Sequence, residues 1–436
     1  MKSLTTLCLC FFIQAGIAYA APTAKREWTA ISGHKTMARA LSTTSTVVTL
    51  ELEPGKSVQL GLDKLIPADR EFLLNHFHIK AAPAAAADEP QRSGEAAIEQ
   101  ANAPHPLGQI TGPIKSAPGS SYHIYVSKSL KQGRKAPLLH FNGAGGYQAH
   151  LVQRYLRGIE RFGWIMVASV ESKNATHGAV NLKHAANNIA RMKESPLVDP
   201  DRIYFTGHSG GGAMSWWNAA NLNAAGTMPV MSYIPPEAKI SKGHHFVLIG
   251  ATDYNRYHSG LAAATFKNDA FLRAYPGGHA YPSPAEGHIF DEGIAWLTAK
   301  YLEKNSRNKD YAAERLDFES AMLDWIKELT PTNPHQAYHL THLLSDTYRI
   351  TGKNAAILLT MQSKLAAEAS HKTYRTGIEE IHQFGVETLS NVSLADSTKG
   401  HLSKDVSNKA QRLAKKYEGI PFVEETFVEL AKPTVK

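Results

Sequence analysis

Asp199-Pro200-Asp201-Arg202-Ile203-Tyr204-Phe205-Thr206-Gly207-His208-Ser209-Gly210-Gly211-Gly212-Ala213-Met214 is the stretch on which the reading of this chain turns. Ile203 to Thr206 has the β-branched and aromatic content of a short buried strand. The G-x-S-x-G that follows leads into a helical run starting near Gly210. A serine in that position sits on a sharp, strained turn, so its neighbours must be nearly free of side chains for the chain to bend. The first N–H groups of the helix then point at any negative charge that develops beside the serine. Ser209 is therefore the candidate nucleophile.

Working outward, Leu138-Leu139-His140-Phe141 is a buried strand running into Asn142-Gly143-Ala144-Gly145-Gly146. In a strand-turn-helix nucleophile site, one oxyanion N–H comes from such a loop and the other from the residue after the serine. The expected donors are the backbone amides of Ala144 and Gly210. Downstream, the strand His245 to Ile249 ends in Gly250-Ala251-Thr252-Asp253, and the next ends in Tyr275-Pro276-Gly277-Gly278-His279. Both residues follow strand ends in the order serine, acid, histidine. His279 is expected to take the serine proton, and Asp253 to hold its tautomer. Among rival residues, Asp269 precedes its strand and belongs at the opposite sheet edge. His288 opens an apolar helix, where a surface or capping role is expected. His258 is near enough in sequence to be considered, and His208 flanks the nucleophile as a packing or substrate-facing residue.

Strands and helices alternate from about Leu107 to Asn305, which predicts an α/β sheet with helices on both faces. Strands are expected at Tyr122–Val126, Ala136–Phe141, Gly163–Val170, Arg202–Thr206, His245–Ile249 and Ala270–Tyr275. Helices are expected at Val180–Lys193 and Ala213–Asn223. Before this, residues 26–79 alternate like short strands, with Pro54-Gly55 as a hairpin signal. Residues 80–105 have linker composition. After it, residues 305–436 carry helical periodicity, as in Leu316, Phe318, Met322, Trp325, Ile326 and Leu329, without a recognisable repeat.

Residues 1–20 read as an export signal: Lys2, an apolar run from Leu4, and Ala18-Tyr19-Ala20 as a cleavage site. No later run is long enough to span a membrane. The expected location is secreted or periplasmic. Both cysteines of the 436-residue chain, Cys8 and Cys10, fall in the removable segment, which excludes disulfides and thiolate chemistry from the exported form. The net charge of +8 is spread without a basic block, so nucleic-acid binding is not indicated. No metal site is expected: His244 and His245 point to opposite faces of a strand, and His335, His339 and His342 lack a metal-binding motif and read as a solvated helix face.

Residues from about Leu107 to Lys304 resemble the α/β-hydrolase superfamily, in particular secreted esterases grouped with polyhydroxybutyrate depolymerases and feruloyl esterases. The resemblance rests on Val198 to Met214, Gly250-Ala251-Thr252-Asp253 and Gly277-Gly278-His279. It implies cofactor-free hydrolysis of a small-molecule or polymer ester through an acyl-enzyme. The N-terminal segment resembles the SLA-one homology module, a small SH3-like β-barrel. Its Arg26-Glu27-Trp28-Thr29, Ala38-Arg39-Ala40, Gly55 to Leu60 and Leu65 to Asp69 carry that likeness, which implies contact with a polymer or protein. A serine peptidase of the same fold and a non-catalytic cell-surface binding scaffold are the rival expectations.

Overall fold

The computed structural model describes residues 23–29, 35–43, 47–53, 56–76, 105–174, 176–236, 238–239, 242–283, 287–392 and 404–433. The expected export segment, the Pro54-Gly55 turn and the linker up to residue 104 lie outside them. The chain divides into two compact units, residues 1–96 and 97–436.

In the first unit, β1 (Arg26–Thr29), β2 (Lys35–Thr43), β3 (Val47–Glu53) and β4 (Lys56–Gly61) form an antiparallel sheet in sequential order. Helix α1 (Pro67–His76) follows, with Pro67 at its first position, where the missing N–H costs nothing. Trp28, Ala38, Ala40, Val48, Leu50, Leu62, Leu65 and Leu73 make its small core. The Trp28 indole donates to the Ala38 carbonyl at 2.9 Å. Asp69 is buried and ties the helix to β1, accepting from Arg26 at 2.8 Å and from the Thr29 amide at 2.7 Å. Among the described residues the strands form a sequential antiparallel meander, and Phe72 of the helix packs against Trp28.

The second unit is built on an eight-stranded sheet. Its strands are β5 (Ile110–Ala117), β6 (Ser120–Val126), β7 (Ala136–Asn142), β8 (Ile165–Ser169), β9 (Val198–His208), β10 (Gly226–Val230), β11 (His244–Gly250) and β12 (Ala270–Tyr275). Their order is β12-β11-β10-β9-β7-β8-β6-β5, and only β6 runs against the rest. The strands β7, β8, β9 and β11 carry near-continuous apolar runs because both faces are covered. The covering helices include α2 (Ala149–Phe162), α3 (Gly178–Lys193), α4 (Gly210–Asn221), α5 (Arg256–Phe266) and α6 (His288–Lys304). This is the α/β-hydrolase arrangement, and it sends the ends of β7, β9, β11 and β12 to one edge. β5 and β10 are additional to the expected strands. Both are short on large apolar residues: β5 reads Ile-Thr-Gly-Pro-Ile-Lys-Ser-Ala, and β10 reads Gly-Thr-Met-Pro-Val.

The C-terminal helices are α7 (Ala312–Leu329), α8 (Pro334–His342), α9 (Gly352–Leu365), α10 (Ala369–Phe384), α11 (Lys404–Lys416) and α12 (Val423–Leu430). They do not form a separate body. Phe318, Met322, Trp325, Ile378, Phe384 and Phe427 belong to the same apolar core as Phe246 of β11, Leu272 of β12 and Ile294 of α6. Arg202, part of the motif quoted first, is buried and grips Glu314 of α7 with both terminal nitrogens, at 2.5 and 2.9 Å. Its Nε donates to Asp199 at 2.9 Å. Beside the edge strand, the His382 ring accepts from the Leu272 amide at 3.0 Å, so a side chain occupies one donor that an edge strand leaves open. His339 corrects the expected solvated face. It is buried and bonds Glu292 at 3.1 Å, and Glu292 also pairs with buried Arg273 at 3.3 Å. Burial alone would raise the Glu292 carboxyl, but Arg273 and His339 hold it well below the usual carboxylate range.

Candidate active site

β9 ends at His208 and α4 begins at Gly210, leaving Ser209 alone on the turn with φ 55° and ψ −119°. A non-glycine residue there stores roughly 1–3 kcal/mol of strain, which the surroundings must override. They do so through hydrogen bonds and close approach. The Ser209 amide donates to the Val230 carbonyl at 2.9 Å, and its own carbonyl accepts from Ala213 at 3.0 Å. A methyl group on Gly207 would come within 2.5 Å of the Asn142 carbonyl oxygen, and one on Gly211 within 2.0 Å of it. The glycines are thus required because β7 and the turn touch backbone to backbone.

The loop after β7 is fastened in the same way. The Asn142 side chain donates from Nδ2 to the Thr206 carbonyl at 3.2 Å, and its Oδ1 accepts from the Asn218 side chain of α4 at 3.0 Å. The Ala144 carbonyl accepts from the Asn174 amide, and the Gly146 amide donates to the Ser172 carbonyl, each at 2.8 Å. The Ala144 nitrogen lies 3.4 Å from the point where a Gly211 Cβ would stand. The two expected oxyanion donors, Ala144 and Gly210, therefore belong to segments packed together beside Ser209.

Two further loops bring the acid and the base. The Ala251 amide donates to the Tyr275 carbonyl at 2.9 Å and the Thr252 amide to the Gly277 carbonyl at 2.8 Å, so the loops after β11 and β12 are laced together. Asp253 is fully buried, with one carboxylate oxygen accepting from the Asn255 amide at 2.6 Å and the other bonded to His279 Nδ1. His279 Nε2 stands 2.8 Å from Ser209 Oγ. Residues 209, 253 and 279 thus form one continuous hydrogen-bonded chain, in an arrangement able to move a proton off the serine hydroxyl.

The rival residues lie elsewhere. Asp269 Oδ1 lies 3.0 Å from His244 Nδ1, at the start of β11 and so at the far edge of the sheet. His288 is buried at the start of α6 rather than on the surface. His258, on α5, has Tyr233 as its ring neighbour, with centroids 5.9 Å apart. His208 packs between His279 and Tyr281, at ring separations of 4.9 and 4.8 Å. Burial first, and then the neighbouring His279, pushes His208 down to about 4, which keeps it neutral beside the base.

Two residues near the serine carry no sequence signature. Tyr254 follows the acid directly, and its hydroxyl is 3.0 Å from His279 Nε2. Asn174 extends its carboxamide over Gly210, with Oδ1 1.9 Å from where a Gly210 Cβ would be. The first could have been suspected from its adjacency to Asp253, the second only from the folded loop. Among the described residues no cluster of three or more His, Cys, Asp or Glu is arranged to hold a metal, and no helix is long and apolar enough to cross a membrane.

No protein-family model matches the chain, and no curated protein matches it either. Among solved structures it is similar to a thermophilic esterase from Thermogutta terrifontis with propionate bound, at 14% identity, covering 45% of this chain and 94% of that one, with a TM-score of 0.35. It is also similar to an esterase of Pyrobaculum calidifontis (14% identity, 47% and 89% covered, TM-score 0.38). A third is Est1E from Butyrivibrio proteoclasticus (16% identity, 44% and 99% covered, TM-score 0.33). Likeness at this level decides nothing about the chemistry, which the chain's own topology and side chains must carry.

Proposed function

We propose that this protein is a serine carboxylic ester hydrolase working through an acyl-enzyme. One observation carries the reading: His279 Nε2 is 2.8 Å from Ser209 Oγ while its Nδ1 is held by buried Asp253. With Nδ1–H donated to the carboxylate, Nε2 is left with its lone pair towards the serine. As Oγ attacks the ester carbonyl its proton passes to Nε2, and the Asp253 carboxylate stabilises the imidazolium. The carbonyl oxygen becomes an oxyanion between the Ala144 and Gly210 amides, where each fixed donor lowers the barrier by about 3 kcal/mol. The alcohol then leaves with the proton from Nε2. Water repeats the sequence on the acyl-serine.

The substrate class in this reading is a small-molecule or polymer ester, met outside the cytoplasm after removal of residues 1–20. The secreted esterases of the depolymerase and feruloyl esterase group remain the nearest type by motif. The N-terminal unit is read as an SH3-like module that contacts a polymer or protein. The test is hydrolysis of p-nitrophenyl esters from acetate to octanoate by the wild type and by Ser209→Ala, with fluorophosphonate labelling of Ser209. Loss of at least about 10³-fold in Ser209→Ala supports the reading. Equal rates in the two proteins refute it.

A further inference from the structure

The His279 imidazole has a second polar neighbour that the serine–histidine–aspartate chain does not use. Tyr254 Oη is 3.0 Å from Nε2, the same nitrogen that Ser209 approaches at 2.8 Å. Neutral Nε2 has a single lone pair, so it cannot fully accept from both hydroxyls. The Tyr254 ring overlies the imidazole, with centroids 4.4 Å apart and planes at 31°, so its hydroxyl approaches from beside that ring. Tyr254 is half-buried, and its backbone is set by neighbours that hold the loop: Asp253 Oδ1 accepts from the Asn255 amide at 2.6 Å, and the Asn255 side chain donates to the Met231 carbonyl at 2.9 Å. The hydroxyl is therefore delivered to Nε2 by a fixed turn.

We propose that Tyr254 is a catalytic residue that donates a hydrogen bond to the departing alcohol oxygen, a role that rests on the ester-hydrolase reading above. During acylation the Ser209 Oγ–carbon bond forms and the serine proton moves to Nε2. The bond from carbon to the alcohol oxygen then breaks, that oxygen keeps the electron pair, and it takes the proton from Nε2. To receive that proton it must lie within hydrogen-bond reach of Nε2, which is where Tyr254 Oη already is. The phenol keeps its own proton throughout and shares it with the negative charge building on the alcohol oxygen. In deacylation the attacking water takes the same place, gives a proton to Nε2, and is oriented by the same hydroxyl.

The consequence is selective. A leaving group such as p-nitrophenolate departs without needing a donor, whereas an alkoxide does not. The experiment compares wild type and Tyr254→Phe on p-nitrophenyl, phenyl and ethyl acetate, with the fluorophosphonate labelling rate of Ser209 and the thermal melt measured alongside. Tyr254→Phe keeps the ring that packs on His279. The expected result is a loss in kcat/KM that grows with the basicity of the leaving alcohol, reaching about tenfold for ethyl acetate, the effect of one hydrogen bond in the transition state. For p-nitrophenyl acetate, and for labelling, the change should stay within about twofold. Equal loss on all three acetates means that the Tyr254 hydroxyl acts only by positioning His279, and no loss on any means that it is a bystander; either result overturns the proposal. Wild-type protein that hydrolyses none of the acetates would instead refute the ester-hydrolase reading itself, and this proposal with it.

Discussion

The sharpest perturbation of the site is a single methyl group at Gly211, compared with the same group at Gly210. A Gly211 Cβ would stand 2.0 Å from the Asn142 carbonyl oxygen and 3.0 Å from its carbon, where real Cβ contacts essentially never fall under 3.0 Å. Relief requires one backbone segment to shift by about 1 Å, because the Asn142 backbone is paired with Gly207 in the β7–β9 ladder and cannot turn aside alone. That shift separates the loop carrying the Ala144 amide from the turn carrying Ser209. A displacement of this size costs on the order of 10²-fold in rate, and overpacking costs a further ~1–3 kcal/mol of stability. At Gly210 the clash is numerically as bad, 1.9 Å, but the atom met is Oδ1 of Asn174, the end of an exposed side chain that can swing away. Gly210→Ala also keeps the amide expected to face the oxyanion. The assay is kcat for p-nitrophenyl acetate per active site, with sites counted by exhaustive fluorophosphonate labelling so that unfolded protein is discounted. Gly211→Ala should fall about 10²-fold and Gly210→Ala less than about fivefold. A Gly211→Ala enzyme above half the wild-type kcat, or equal losses in the two variants, would show that backbone contact with β7 does not position the oxyanion loop.

Two further outcomes concern stability. Asp291 is buried on α6 and its carboxyl is pushed up to about 6, by burial first, against the opposing pull of its Arg157 partner. A carboxyl raised from 3.8 in the folded state resists ionising there, so its cost is absent below about pH 4 and complete above about pH 6. Asp291→Asn should therefore gain on the order of 3 kcal/mol at pH 8, because a value of about 6 already includes the pull of Arg157, and gain little at pH 4. Urea midpoints at the two pH values check this, and a pH-independent gain would refute it. Ending the chain at Asn305 should leave no soluble, cooperatively melting product, since it strips Phe318, Met322, Trp325, Ile378, Phe384 and Phe427 from the shared core. A soluble fragment with a sharp melt would mean that the sheet does not need those helices.

What the sequence determined by itself was local. The strand-turn-helix around Ser209 is legible because glycines at 207 and 211 are required by backbone approach, and such a requirement leaves its mark in the residues themselves. Asp253 and His279 stood out by lying just past apolar runs, and those runs are buried strands whose ends share one edge. The weakly apolar β5 and β10 were not legible, because their pairing comes from neighbours rather than from their own pattern. Nor could periodicity say where the C-terminal helices go: an apolar face announces that it will be covered, without naming the partner. Only the tertiary structure decided that it is the hydrolase sheet, through a core in common and the grip of Arg202 on Glu314. It likewise placed His339 in the interior against Glu292 and brought Tyr254 to His279, 25 residues away in sequence. Backbone conformation is set mostly by adjacent residues, whereas which distant side chains meet depends on how every layer packs at once.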